Sequence, residues 1–282
     1  MHVARFSTPE SFLQLAQPFL LDAEAENNVM LGLRDMVRMF GSDAYLAAVL
    51  DGGRVFACGM RTPPYKAIIT RAPSDALECL VADMADRYPD LPEVFGPEPT
   101  VSHFAELWAR RTRVPSTRGN QQRLFVIHQT PEWTSWPAGD LRLAEKDDLP
   151  VVIAWTAALI SEAMPGDPTD PEQHAIRRIA TRSVWVWDNG QPVSMAGWAG
   201  RTSRGVRVNY VYTPPEHRRN GYATAAVARL TQQLFAEGQR FCCLYTDLAN
   251  PTSNSIYQKI GYRPVCDLST YVLNSRKSGT IR

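Results

Sequence analysis

The chain has 282 residues, which is comfortable for two domains with buried cores. Its 30 lysines and arginines are balanced by 29 aspartates and glutamates, and the scattered basic residues give no electrostatic case for a nucleic-acid partner. No apolar run approaches the roughly 18–20 residues that span a bilayer, we recognise no export signal, and five irregularly spaced cysteines argue against a disulfide framework, so we expect a cytoplasmic protein with no membrane partner.

Helix and strand patterns alternate through the first half of the chain. Residues 9–39 are predicted to be largely helical, and Asp51-Gly52-Gly53 forms a hairpin turn between strands at 45–50 and 54–61. The elements predicted after this hairpin are a strand at 65–71, a helix at 74–87 capped by Ser74, a strand at 94–96, a helix at 101–111 and a strand at 123–129.

A segment with two prolines and a glycine, residues 130–139, separates this part from the rest of the chain. We therefore place domain boundaries at 1–132 and 138–282. The elements predicted in the second domain are a strand at 141–144, helices at 149–163 and 171–181, strands at 183–187, 192–200 and 206–213, a helix at 222–237, a strand at 241–246, a helix from Asn250 to Gly261 and a strand at 262–273. Their order is β-α-α-β-β-β-α-β-α-β.

The segment Arg218-Arg219-Asn220-Gly221-Tyr222-Ala223 lies between a predicted strand and a long predicted helix. Backbone N–H groups at a helix start have no intrahelical partner, and the helix dipole makes this end partly positive. A glycine lets an anion approach the backbone because no Cβ stands in the way. The segment therefore predicts a turn that holds a pyrophosphate group.

A second motif follows about thirty residues later, with Asn250, Tyr257 seven residues on, and the pair Gly261-Tyr262. The two motifs, in this order and at this spacing, resemble the GNAT superfamily of acetyl-CoA-dependent N-acetyltransferases. The resemblance covers about residues 140–275 and is densest from 210 to 263. It implies a GNAT fold for the second domain, and the first domain repeats much of the same order of elements in weaker form. We therefore expect an α/β (α+β) fold of two tandem GNAT-like domains, each a mixed, mostly antiparallel sheet flanked by helices.

The first domain is interpreted as a degenerate copy of this fold. Where a phosphate turn should lie it has residues 71–76, with no glycine and with Pro73, which lacks a donor N–H. We therefore expect acetyl-CoA to bind the second domain, and the first domain to help shape the acceptor site.

The resemblance implies roles for the residues of both motifs. The backbone of Val211, Tyr212 and Thr213 would pair with the pantetheine arm, and an N–H near Val211 would stabilise the oxyanion. The pyrophosphate would lie in the turn formed by Arg218, Arg219, Asn220, Gly221, Tyr222, Ala223 and Thr224. Asn250 would contact the cofactor arm, or would only cap its helix. Tyr257 would protonate the leaving thiolate, or would simply be a buried aromatic residue.

The general base is the gap in this assignment. Many members of the superfamily carry a glutamate on the strand before the turn, whereas this strand has Asn209, which cannot take a proton. A water relay or an acceptor amine of low pKa would need no direct base. The titratable candidates elsewhere in the domain are Asp247, Glu162, His174 and His217.

These observations predict direct transfer of an acetyl group from acetyl-CoA to the amine of a small molecule or a short chain end. The reaction would need no metal and no covalent enzyme intermediate. Because the strand carboxylate is missing, a CoA-binding regulatory module without catalysis is the alternative. A longer acyl-CoA or a non-amine acceptor is a third possibility.

Overall fold

The computed structural model describes residues 1–32 and 44–273, so the predicted helical pattern over residues 33–39 lies outside the described residues. The chain divides into two compact units by its contacts. Unit 1 comprises Met1–Leu124, Thr246–Ala249 and Val265–Arg282, and unit 2 comprises Phe125–Tyr245 and Asn250–Pro264. This is a division by spatial contact, whereas the boundaries 1–132 and 138–282 stay a prediction from the sequence.

Unit 1 is a sheet with helices on both faces. Its described helices are α1 (Pro9–Leu21), α2 (Asn28–Leu31), α3 (Ser74–Arg87) and α4 (Thr100–Thr112). Its strands are β1 (His2–Phe6), β2 (Tyr45–Asp51), β3 (Arg54–Arg61), β4 (Ala67–Ile69), β5 (Glu93–Pro97) and most of both β6 (Thr117–Ile127) and β12 (Arg263–Val272). Strands β1 to β4 pair antiparallel in sequence order, β4 pairs parallel with β5, and β5 pairs antiparallel with β12.

Strand β2 explains why this sheet is covered on both sides. Successive side chains of a strand point to opposite faces, and here both sets are apolar and buried. One cluster, with α3 and α4, takes Tyr45, Ala47 and Val49, and the other, with α1, takes Leu46, Ala48 and Leu50.

Two predictions for unit 1 are corrected by the structure. Ser74 does not cap α3, because Pro73 occupies the N-cap position and the Ser74 hydroxyl lies 2.9 Å from Nε2 of His103. Strand β6 begins at Thr117, earlier than the predicted start at residue 123.

The elements from residue 140 onward follow the predicted order, although most of the last strand, β12, belongs to unit 1 and the others to unit 2. The helices of unit 2 among the described residues are α5 (Leu149–Ala163), α6 (Pro171–Ala180), α7 (Tyr222–Ala236) and α8 (Pro251–Ile260). Its strands are β7 (Asp140–Leu143), β8 (Val184–Asp188), β9 (Pro192–Ala199), β10 (Gly205–Tyr212) and most of β11 (Phe241–Asp247). Strands β7 to β10 pair antiparallel in sequence order, and β10 pairs parallel with β11.

The helices of unit 2 cover opposite faces of its sheet. Apolar residues of α7, including Ala226, Leu230 and Leu234, form one buried cluster with β10, β11 and α8. Helices α5 and α6 form a second cluster that contains Trp155 and Ala175. The strand order and the two helical layers place the segments that carry the two sequence motifs side by side in this unit.

A buried hydroxyl pair connects the two helical segments that carry the motifs. The Oγ1 atom of Thr231, on α7, lies 2.8 Å from the hydroxyl of Tyr262, which follows α8. Both side chains are 0% exposed, so neither hydroxyl can exchange its partner for water. Loss of either partner therefore leaves a buried polar group unsatisfied.

We expect Thr231→Val and Tyr262→Phe each to lower the free energy of unfolding by roughly 1–3 kcal/mol, the usual penalty for an unsatisfied buried group. The double variant should lose less than the sum of the two, because no orphaned hydroxyl remains. Urea denaturation of the four proteins measures this coupling. Strict additivity would show that the hydroxyl pair contributes no interaction energy.

Candidate active site

The turn before α7 has an open, left-handed backbone. Gly221 is the N-cap residue with φ of 80°, and no side chain caps the start of the helix. A Cβ at Gly221 would meet no atom within 4 Å, so the space next to this backbone is empty of protein. Arg219 is also left-handed, with φ of 67°. Successive N–H groups in such turns point to one side and form concavities that bind anions.

The exposed side chains of the turn brace its own backbone. Nδ2 of Asn220 donates to the carbonyl oxygens of His217 and Arg218 at 3.2 and 3.3 Å. The hydroxyl of Tyr222 accepts a hydrogen bond from Nδ2 of Asn189. Ala223 and Thr224, in the first helical turn, are half-buried.

Strand β10 carries a bulge directly before this turn. Asn209 pairs with Gly197 and Tyr212 with Met195, so two residues of β10, Tyr210 and Val211, oppose one residue of β9. Tyr210 has φ of 62°, a left-handed conformation that is rare for an aromatic residue. A bulge leaves its extra residue outside the ladder of hydrogen bonds.

The bulge also changes which face of the sheet the following side chains occupy. Val206 and Val208 enter the cluster with α7, and strict alternation would send Tyr210 and Tyr212 to the same face. Both tyrosines instead pack with α5 and α6. The extra residue has therefore reversed the phase of the strand, and Val211 packs beside the α7 cluster.

Strand β10 extends beyond its parallel pairing with β11. The pairing joins Gly205–Arg207 to Phe241–Cys243, whereas β10 continues to Tyr212. The bulged end of the strand thus lies past the last parallel pair and leads directly to the left-handed turn. This is the geometry into which an extended ligand could be added as a strand.

The sequence predicts that the backbone of Val211, Tyr212 and Thr213 pairs with the ligand, but side chains already bind the carbonyl oxygens of the last two. The carbonyl oxygen of Tyr212 accepts from Oγ of Ser194 at 3.1 Å. The carbonyl oxygen of Thr213 accepts from Nε of Arg218 at 2.9 Å. Val211, inside the bulge, is the position of the three at which the backbone best suits an incoming ligand.

Arg218 is held by protein groups. Its Nη2 atom donates to Glu162 Oε2 at 2.7 Å, and its guanidinium lies over the ring of Tyr212. Glu162 Oε1 also accepts from the hydroxyl of Tyr212 at 3.1 Å. The side chain of Arg218 therefore ties the turn to the end of α5, and Glu162 is engaged by two donors.

Tyr257 lies on α8 with its ring in the α7 cluster. It is 9% exposed and packs near the rings of Phe125 and Tyr262, with centroids 6.5 and 6.2 Å away. Burial raises the pKa of Tyr257 to about 12, so the phenol keeps its proton at neutral pH. Burial is the only cause of this shift, so no nearby charge contributes to the raised pKa of Tyr257.

Asn250 caps α8, as the sequence predicted. Its Oδ1 accepts from the backbone N–H of Ser253 at 3.0 Å, and Pro251 follows in the first helical turn. Because this oxygen is engaged, a contact with a cofactor arm would fall to the amide nitrogen.

The predicted bases other than Glu162 have local partners. Asp247 is exposed, and its carboxylate accepts from the backbone N–H of Ala249 at 2.7 Å. His217 packs edge-on against the ring of Tyr222. The Nε2 atom of His174 accepts from Nε of Arg178 at 2.9 Å, so its lone pair is occupied.

One residue of this region, Arg178 on α6, was not predicted from the sequence. Its side chain is 6% exposed and reaches the bulge, where Nη2 donates to Oδ1 of Asn209 at 3.1 Å. It is one of two consecutive arginines on a polar helix, and no pattern distinguishes it from Arg177. Only the three-dimensional contacts reveal that it is buried.

The comparisons with known proteins agree with this geometry. Residues 187–272 match a family model described as FR47-like protein. That segment contains β9, β10, the turn, α7, β11 and α8, and therefore both sequence motifs. No curated protein matches the chain closely enough to count as a relative.

Solved structures resemble nearly the whole chain. A GCN5-related N-acetyltransferase from Sphaerobacter thermophilus superimposes with a TM-score of 0.64 at 14% identity, covering 95% of this chain and 94% of that one. A GNAT-family acetyltransferase from Colwellia psychrerythraea gives 0.62 at 11% identity, with 97% and 100% covered. A tandem GNAT protein from the clavulanic acid biosynthesis pathway gives 0.59 at 13% identity, with 96% and 97% covered.

These matches support the predicted resemblance to GNAT proteins at the level of the fold, which the chain shares over nearly its whole length with all three structures, one of them described as a tandem GNAT protein. Among the described residues, no group of three or more His, Cys, Asp or Glu side chains is placed to hold a metal ion. No helix in the same part of the chain is both long and apolar enough to cross a membrane.

The environment of His174 predicts a distinctive dependence of stability on pH. Burial, and then the charges of Arg178 and Arg177, lower its pKa from 6.5 to about 3. Between these two values the unfolded chain carries a proton that the native protein does not bind. The stabilisation is fully present above pH 6.5 and is lost as the pH falls towards 3.

We therefore expect the Cε1–H resonance of His174 not to titrate between about pH 5 and 8. The signal is assigned by its disappearance in His174→Gln, and that variant should lose less stability than the wild type on acidification. A midpoint near the ordinary histidine value would contradict the buried, neutral ring.

Proposed function

We propose that the chain is an acetyl-CoA-dependent N-acetyltransferase that moves the acetyl group directly to the amine of a small molecule or a short chain end in the cytoplasm. The observation that carries this proposal is the bulged end of β10, which runs past its parallel pairing and leads straight into the open turn at Gly221. A flexible arm that ends in a pyrophosphate needs both parts, adjacent and in this order.

The described residues fit such a donor. The turn from Arg218 to Thr224 would hold the pyrophosphate, mainly through N–H groups at the start of α7. The backbone at Val211 would receive the pantetheine arm as an added strand. Asn250 would meet the same arm through its amide nitrogen, since Oδ1 is engaged.

The side chains then divide the chemistry. An N–H in the bulge at Val211 would donate to the oxygen that becomes negative as the amine attacks. Tyr257 would donate its proton to the departing sulfur, and the burial that raises the pKa of Tyr257 to about 12 ensures that the phenol carries this proton at neutral pH. Acetyl-CoA itself supplies the activated acetyl group.

We propose that the amine reacts in its neutral form and that its proton leaves through water. The lone pair of His174 is occupied, and the carboxylate of Asp247 caps the backbone of Ala249. Glu162 and His217 are the remaining candidates. The Tyr212 hydroxyl and Arg218 both donate to Glu162, and His217 packs edge-on against the ring of Tyr222 in the turn proposed for the pyrophosphate. A water relay needs no side chain with a free lone pair at the reacting nitrogen.

A thiol-release assay with a panel of amines, amino acids, peptides and aminoglycosides tests the activity. Acetylated product, formed in proportion to free CoA, is the expected result. Acetyl-CoA binding without turnover on any acceptor would instead support a CoA-binding regulatory module, for which the absent strand carboxylate is the motivating observation. Longer acyl-CoAs in the same assay identify the preferred acyl group.

Gly221→Glu should abolish CoA binding while the protein stays folded, because the new carboxylate would occupy the place of the pyrophosphate. Gly238→Glu is a matched control at the other end of α7, since Gly238 is also left-handed, with φ of 95° and no atom within 4 Å of a Cβ. Both variants carry the same backbone strain, of order 1–2 kcal/mol. Calorimetric titration with CoA should therefore separate them, and equal affinities would remove the turn from the site.

Tyr257→Phe should reduce turnover by about 10²–10⁴-fold, the usual contribution of a general acid, with little change in the Kd for acetyl-CoA. Tyr262→Phe removes the neighbouring hydroxyl and serves as a control, because that hydroxyl is bound to Thr231. Rates at saturating acceptor and titrations with acetyl-CoA give the two quantities. Parallel losses of turnover and affinity would instead assign Tyr257 to binding.

A further inference from the structure

The bulge in β10 needs a device to hold it. Tyr210 carries a large side chain in a left-handed conformation, which costs about 1–3 kcal/mol and persists only where the surroundings enforce it. Its ring is stacked on the imidazole of His174, with centroids 4.8 Å apart and planes 7° from parallel. Its hydroxyl donates to Oγ1 of Thr156 at 2.9 Å, which fixes the far end of the ring.

Arg178 connects the groups on both sides of the bulge. Its guanidinium carbon lies 4.6 Å from the centroid of the Tyr210 ring. Nη2 donates to the side chain of Asn209, the residue before the bulge, and Nη1 donates to the carbonyl oxygen of Trp198 on β9 at 2.6 Å. Nε donates to His174, the ring on which Tyr210 stacks.

A glycine of the neighbouring strand packs against both the guanidinium and the bulge. Gly197 pairs with Asn209 across the sheet. A Cβ on Gly197 would lie 3.5 Å from Nη1 of Arg178, 3.5 Å from Cβ of Tyr210, and only 2.6 Å from the carbonyl oxygen of Ser183. A side chain at this position would therefore collide with the backbone at Ser183, whose carbonyl oxygen also accepts from Arg178, while its Cβ would make ordinary contacts with the guanidinium and with Tyr210.

Arg178 stays buried without a carboxylate partner among the described residues. Its acceptors are two carbonyl oxygens, an amide oxygen and an imidazole nitrogen. Because no carboxylate partner is present in the described part of the chain, ion pairing does not explain an arginine at this position. Moving a cation from water to neutral partners costs free energy, so the residue must contribute something else. Its planar set of donors, however, matches four acceptors, which belong to its own helix, to Ser183 before β8, and to strands β9 and β10.

We propose that Arg178 is a positioning residue, which holds the bulge at Tyr210 so that a backbone N–H of the bulge faces the carbonyl oxygen of the bound acetyl group. The inference rests on the proposed function, because it assumes that the acyl donor lies along β10. A solely structural arginine would affect the stability of the fold and the binding of every CoA ligand alike. A positioning residue would affect the recognition of the carbonyl oxygen selectively.

The test compares acetyl-CoA with S-ethyl-CoA, in which a methylene group replaces the thioester carbonyl. In the wild type we expect acetyl-CoA to bind about three- to tenfold more tightly, the ratio that corresponds to one hydrogen bond. In Arg178→Met the ratio should fall to about one, while the affinity for free CoA, which reports on the phosphate turn, is retained. Calorimetric titration measures all three ligands without any acceptor.

Arg201→Met is the matched control. Arg201 also lies over an aromatic ring of this sheet, that of Trp198 at 4.3 Å, but its partner is Glu237 rather than the bulge. Its removal should leave the ratio of the two affinities unchanged. If Arg178→Met does not fold, Asn209→Ala decides the question, because it removes the acceptor on the strand and keeps the buried arginine.

An undiminished preference for acetyl-CoA in Arg178→Met, or in Asn209→Ala where that variant decides, would overturn the proposal. Equal affinities of the wild type for acetyl-CoA and S-ethyl-CoA would also overturn it, since no backbone N–H would then recognise the carbonyl oxygen. A wild type that binds none of the three ligands would overturn the proposed function, and the positioning role with it.

Discussion

The site of unit 2 depends on one irregularity, the extra residue in β10. Without the bulge, Tyr210 and Tyr212 would follow Val206 and Val208 into the α7 cluster, and the strand would keep its ladder to the end. With it, two aromatic side chains pass to the α5–α6 layer, and the backbone at Val211 lies outside the regular pairing with β9. The extra residue of the bulge thus has two effects. It changes which side chains pack in the α5–α6 layer, and it frees backbone groups at Val211 from the ladder so that a ligand can pair with them.

The electrostatics around this strand end are arranged to favour an anion. The start of α7 has no capping side chain, so its N–H groups and the positive end of its dipole face the turn. On the other face, Arg178 adds a buried cation with neutral partners, and burial lowers its pKa to about 10, which still leaves it charged near neutral pH. The carboxylate of Glu162, at the end of α5, is bound to Arg218 at 2.7 Å. This ion pair neutralises the charge of Glu162, which reduces its repulsion of an anion beside Gly221.

Local chemistry explains which features the sequence could predict. The turn at Gly221, the Asn250 cap and the stop at Gly261 each depend on residues within a few positions, and each has the predicted form. The bulge depends on side chains from three other elements, since Tyr210 has no glycine or asparagine signature for its positive φ. Arg178 was missed for the same reason. Ser74 shows the converse, because a good capping residue was drawn to His103 from another helix while Pro73 took the N-cap position.

The corresponding region of unit 1 lacks the features on which the proposed donor site in unit 2 depends. Strand β4 has three residues, two of which pair with β5, so little strand extends beyond the parallel pairing. Gly96 lies so close to β4 that a Cβ there would be 3.0 Å from the carbonyl oxygen of Ile69. At the start of α3, the carboxylate of Asp75 already accepts from the N–H of Ala76, which places a negative charge where a phosphate would bind. Unit 1 therefore lacks the extended strand end, and the carboxylate of Asp75 occupies the start of its helix. Both properties support the proposal that the acyl donor binds in unit 2.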